Sequence, residues 1–126
     1  MVKVTAQPIE SMLLPKGLEI VRIEYALGKL RAFVRDMDSE TEIVIDFPDV
    51  LGYRVLDEGN LMEFWPECST PNGRLFEIHS GGWLSQETNS HFAAIPQKAK
   101  EYFVAGVDDC LSVISLTPPE VQKNAL

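Results

Sequence analysis

The sequence predicts a mainly β fold of α+β type with minor helix. The expectation is one globular domain over residues 1–126, a single antiparallel sheet-based sandwich or half-barrel with one or two short helices. Three observations predict it. Short apolar or alternating runs, rich in Val, Ile, Tyr and Phe, recur along the chain. Clusters of Pro, Gly, Asn and Asp separate them. Only one stretch offers a helix, and no repeat, low-complexity tract or linker interrupts the series.

Each element has its own signal. An N-terminal strand or arm around Lys3 to Gln7 is set off by the turn Pro15, Lys16 and Gly17. LEIVRIEY (Leu18 to Tyr25) places Val21, Ile23 and Tyr25 on one side of a strand. A tight turn at Gly28 and Lys29 leads to LRAFVR (Leu30 to Arg35), so the two read as a hairpin. After a polar break at Asp36, Asp38 and Ser39, the acids Glu40, Glu42 and Asp46 alternate with Thr41, Ile43, Ile45 and Phe47. That is a half-buried strand with carboxylates outward, Val44 being its one apolar outer residue and Pro48 its end. YRVL (Tyr53 to Leu56) is a further short strand. Asn60 can cap a short helix through Leu61, Met62, Phe64 and Trp65 that Pro66 terminates. Pro71, Asn72 and Gly73 turn the chain into the strand RLFEIH, and residues 80–97 read as an irregular loop with a remaining strand or helical turn hidden in it. EYFVAGV and CLSVISL, joined at Asp108 and Asp109, are apolar enough for central strands. Pro118 and Pro119 stop the second, leaving PEVQKNAL as a terminal helical turn or frayed tail.

Composition narrows the function. Two cysteines, Cys68 and Cys110, lack the Cys-x-x-Cys spacing of a zinc ribbon or redox site. Every apolar run is broken before membrane-spanning length, and Met1 to Gln7 lacks a signal-peptide layout, so a cytoplasmic location is expected. The net charge of −8 argues against direct nucleic-acid binding, which needs clustered Lys and Arg. Its distribution is uneven. Residues 36 to 67 hold ten acids and one base, Arg54, for −9, while the rest of the chain carries +1. Such a field steers a cationic partner, whereas a plain edge strand would use charge only to block aggregation.

The candidate partner-binding residues are therefore Asp38, Glu40, Glu42 and Asp46 on the predicted strand, continued by Asp57, Glu58 and Glu63. Trp65 and Trp83 are candidate desolvated anchors, with core packing as their ordinary fate. An enzyme or ligand-binding protein would instead use a pocket near His79, His91 and Glu87. Their spacing fits no hydrolase or metalloprotease pattern, Asp57, Glu58 and Gly59 make only a fragment of a cation loop, and Gly81 and Gly82 lack a phosphate-cradle pattern. No metal or cofactor is expected. A subunit of a larger assembly is the third reading, and it requires a large apolar patch.

The segments YRVLDEGNLMEFW, GGWLSQE and CLSVISLTPPEV resemble those of small bacterial cytoplasmic proteins. Overall size and acidity are similar to immunity proteins of contact-dependent growth inhibition and related toxin systems. The resemblance covers the second half of the chain and carries over no binding residue. It implies a non-enzymatic protein, monomer or dimer, that neutralises a cognate toxin domain such as a basic nuclease. In that role carboxylates would occupy the sites that phosphates fill.

Overall fold

Leu27 and Gly28 both have left-handed backbones, with φ of 52° and 80°, in the computed structural model, which describes residues 3–57, 64, 68, 73–88 and 98–124. They form the two-residue turn of a hairpin between β2 (Leu18–Ala26) and β3 (Lys29–Asp36), one position earlier than the sequence suggests. A β-bulge between Ile20 and Arg22 then shifts the side-chain alternation of β2. Leu18, Ile20 and Ile23 pack on the core, and Val21, expected beside Ile23, is exposed. The predicted common face of Val21, Ile23 and Tyr25 is thus broken by one extra residue.

β4 (Glu42–Phe47) pairs with β3, and β9 (Glu120–Lys123) pairs with β4, completing a four-stranded antiparallel sheet in the order β2-β3-β4-β9. The predicted terminal helix or tail is therefore a strand: after Pro118 and Pro119 the chain re-enters the sheet, with Val121 opposite Ile45 and packed on the core. The second sheet has five antiparallel strands, β1 (Thr5–Pro8), β5 (Val50–Asp57), β6 (Leu75–Ser80), β7 (Lys100–Ala105) and β8 (Asp109–Ser115). Their order is β1-β6-β7-β8-β5, which places EYFVAGV and CLSVISL inside the sheet as expected. A mainly β fold is correct, and the single sheet is replaced by two sheets that do not close into a barrel.

The two sheets share one core, to which Leu30, Ala32, Val34, Ile43, Ile45 and Phe47 come from one and Leu75, Tyr102, Val104, Leu111 and Val113 from the other. The five-stranded sheet buries its other face as well, against Val4, Phe64 and Cys68, with Phe64 stacked on Phe103 at 4.7 Å. Burial on both faces explains why β7 and β8 read as continuous apolar runs. Within 80–97, Trp83–Thr88 forms a six-residue helix, α1, one of the two elements, strand or helical turn, expected inside that loop. The predicted helix from Asn60 to Pro66 lies outside the described residues except for the buried Phe64.

Candidate functional site

The described acids between residues 36 and 57 do not form one open row. Glu40 lies in the β3–β4 loop with φ of 60°, and β4 is an interior strand, so its carboxylates protect no edge. Cross-strand register sets Arg35 between Glu19 and Glu42, and Arg31 between Glu24 and Asp46. Directly opposed side chains stand about 5 Å apart, so each β4 acid has an arginine neighbour. Arg35 also pairs with Glu19, Glu42 accepts from Asn124 Nδ2 at 2.6 Å, and Asp46 accepts from Gln122 Nε2 at 3.4 Å. Between the two charged rows sit Phe33 and Val44, opposite each other and only 3% and 1% exposed. The guanidinium of Arg22 lies 4.0 Å from the Phe33 ring and that of Arg31 5.3 Å. This face is a lattice of compensated charge over a buried aromatic ring.

A second group of acids gathers at one end of the molecule. At the end of β3, Asp36 accepts the Asp38 backbone N–H at 2.9 Å and the Ser39 hydroxyl at 2.8 Å from the following loop. Those bonds, the Asp38 N–H first, hold its carboxyl below the usual value and leave Asp38 and Glu40 exposed at the tip. The Met37 N–H donates to the Gly17 carbonyl, and the Val107 N–H to the Leu18 carbonyl at 3.0 Å. The second bond ties the β7–β8 turn of the other sheet, with Asp108 and Asp109, to the same end. Asp57 pairs in register with Asp109 and is exposed with it. Asp36, Asp38, Glu40, Asp57, Asp108 and Asp109 thus meet there, with Lys16, Arg74 and Lys123 as nearby bases. Asp108 and Asp109 were read only as a turn, because nothing local ties residue 108 to residue 38.

Among the predicted residues, Asp38, Glu40 and Asp57 belong to this end, while Glu42 and Asp46 belong to the compensated lattice. Trp83 opens α1 on the five-stranded sheet, half-buried across Gly52 with the Arg54 guanidinium 5.1 Å from its ring. Glu58, Glu63, Trp65 and His91 lie outside the described residues, as does the side chain of Glu87.

The pocket reading draws on His79 and on a buried carboxylate beside it. His79 Nε2 meets Glu77 Oε2 at 2.8 Å, and Lys100 Nζ lies 3.7 Å from the same carboxylate, all three partly exposed. Behind them Glu101 is 1% exposed and accepts the Leu84 N–H at 2.8 Å, capping the start of α1 from a neighbouring strand. Burial pushes its carboxyl up, against the opposing pull of the Leu84 and Trp83 amides and of Arg54. A cavity of about 260 Å³ is lined by Ile78, His79, Ser80, Gly82, Leu84, Ser85 and Glu101. The sequence hides Glu101 at the start of an apolar strand, and the only signal for it is Gly82, where an added Cβ would lie 2.6 Å from its Oε1. Cys68 and Cys110 are both buried, and among the described residues no three His, Cys, Asp or Glu side chains are grouped to hold a metal ion.

Compared with known proteins, the chain matches no family model, no curated protein and no solved structure.

Proposed function

We propose that this protein is a non-enzymatic inhibitor of the immunity or antitoxin type, which binds and neutralises a basic toxin domain such as a nuclease. The observation that carries the reading is the acidic end, where Asp36, Asp38, Glu40, Asp57, Asp108 and Asp109 arrive from three separate parts of the chain. A field assembled this way steers and orients a cationic surface, and a phosphate-binding active site is such a surface. The lattice on β3 and β4 supports the framework rather than the contact, since its acids already face arginines.

The test uses tagged full-length protein and its Asp38→Lys, Asp57→Lys, Asp109→Lys triple variant as paired baits in native cytosol at low and high salt. The expected result is a stoichiometric basic protein, held by the wild type, released by salt and lost from the variant, whose nuclease activity the wild type abolishes. Equal capture by both baits removes the reading. The second reading, a small-molecule pocket, draws on the cavity beside buried Glu101 and on the His79–Glu77 contact. It predicts that His79→Ala abolishes ligand binding with the fold intact, whereas an inhibitor acting through its acidic end tolerates that change.

A further inference from the structure

Glu101 is the one charged side chain buried among the described residues, and only half of its carboxylate is hydrogen-bonded. Oε1 accepts the Leu84 N–H at 2.8 Å, whereas Oε2, equally shut off from bulk solvent, has no hydrogen-bond partner among the described residues. A buried acceptor left in this state is costly, and native proteins rarely keep one without a use. The side chain forms part of the wall of the cavity of about 260 Å³, together with the aliphatic Ile78 and Leu84 and the hydroxyls of Ser80 and Ser85. Gly82 fits against the carboxylate by having no side chain, since an added Cβ would lie 2.6 Å from Oε1 and 2.9 Å from Oε2. Burial pushes the carboxyl up in spite of the Leu84 and Trp83 amides and the charge of Arg54, so its negative charge is not fully offset where it stands. Residues 58–72 and 89–97 contain no lysine or arginine, so no long basic side chain from those stretches supplies the missing partner.

We infer that this cavity binds a small primary ammonium ion, whose N–H donors meet Glu101 Oε2 and whose short aliphatic chain lies against Ile78 and Leu84. The inference rests on the pocket reading above and deepens it by naming the ligand class; it does not depend on the acidic end. The chemistry of the wall selects the class. An ionised carboxylate only accepts hydrogen bonds, so the occupant must donate, and a charged donor also offsets the buried negative charge. Glu101 repels an anion for the same reason. An ammonium carries three N–H groups, and the hydroxyl oxygens of Ser80 and Ser85 are further acceptors in the same wall. Size sets the rest: about 260 Å³ lies just below the range of about 300–1,000 Å³ typical of ligand pockets, which suits a chain of a few carbons.

The probe is butylammonium, with butanol and butyrate as the neutral and anionic comparisons of the same chain length. Each is titrated at constant ionic strength into isotope-labelled full-length protein and followed by amide shifts. The expected result is saturable shifts at Gly82, Leu84 and Ser85 with butylammonium, and affinity at least tenfold weaker for butanol, for butyrate and in Glu101→Gln. Ser80→Phe, at an exposed position of the same wall, should abolish these shifts with the carboxylate in place, and it serves if Glu101→Gln unfolds. Saturable shifts at the cavity that are equal for butylammonium and butanol, or unchanged in Glu101→Gln, overturn the ammonium ligand and leave the pocket reading standing. Shifts confined to the acidic end around Asp38 and Asp109, the same in wild type and Glu101→Gln, overturn the inference as plain charge attraction. No shift at the cavity with any of the three probes overturns the inference and the pocket reading with it.

Discussion

Replacing Phe33 with alanine tests whether the outer face of the four-stranded sheet is a compensated lattice over a buried ring or an open acidic surface. Phe33 is 3% exposed although it points away from the main core, because Arg22, Arg31 and Val44 cover it. A Phe→Ala change at a buried site costs about 3–5 kcal/mol in transfer and cavity terms. The low end applies here, about 3 kcal/mol, since the covering arginine stems can collapse into the space. Arg22→Ala removes one ring contact and a half-exposed ion pair with Glu24 at 3.3 Å, together about 1 kcal/mol. In the Phe33→Ala background the ring contact is already gone, so adding Arg22→Ala should cost about 0.5 kcal/mol less than it does alone. Urea unfolding of the four proteins of this cycle measures both quantities. A loss below about 1 kcal/mol for Phe33→Ala, with additive single effects, would refute the buried-ring account and return β4 to the status of an exposed acidic row.

Other expectations follow from single positions. Leu27→Asn should stabilise the protein by about 1 kcal/mol in thermal or urea unfolding, because asparagine tolerates the left-handed turn where Leu27 is fully exposed. Gly81→Ala should cost about 3 kcal/mol or more, since φ is +79° and the new Cβ would collide with the Lys3 carbonyl and lie 2.9 Å from the Val4 Cα. A loss near zero in urea unfolding would show that the N-terminal segment yields freely. Two carboxyls should bend the pH–stability profile in opposite directions. Asp36 is held below its ordinary 3.8 by the Asp38 N–H and the Ser39 hydroxyl, so its contribution is present above 3.8 and is lost as pH falls through its lower folded value; Asp36→Asn should flatten that acid limb. Glu101 is raised above 4.5 by burial, so stability is fullest below 4.5 and declines as pH rises through the folded value. Glu101→Gln should therefore gain on the wild type with increasing pH in urea titrations from pH 4 to 8, and a constant difference would contradict the assignment.

Periodicity and turn chemistry, which are local, were legible from the chain. The hairpin over 18–35, the alternating strand ending at Pro48 and the inner strands β7 and β8 stand where apolar spacing and punctuation put them. The bulge in β2 was not legible, because the choice of face for Val21 or Ile23 depends on the partner strand and the core behind it. β9 was hidden because four residues after two prolines form a strand only when β4 offers an edge to pair with. The site divides along the same line. Sequence alone determined the excess of acid between residues 36 and 67 and the apolar alternation of β4, since charge and period need no neighbour. Only the tertiary structure decided which acids face arginines and which gather at one end. It laid Arg31 and Arg35 beside Glu42 and Asp46, and it carried Asp108 and Asp109 to the end where Asp38 and Asp57 stand. Electrostatic fields add over distance in space, and distance along a chain does not measure it.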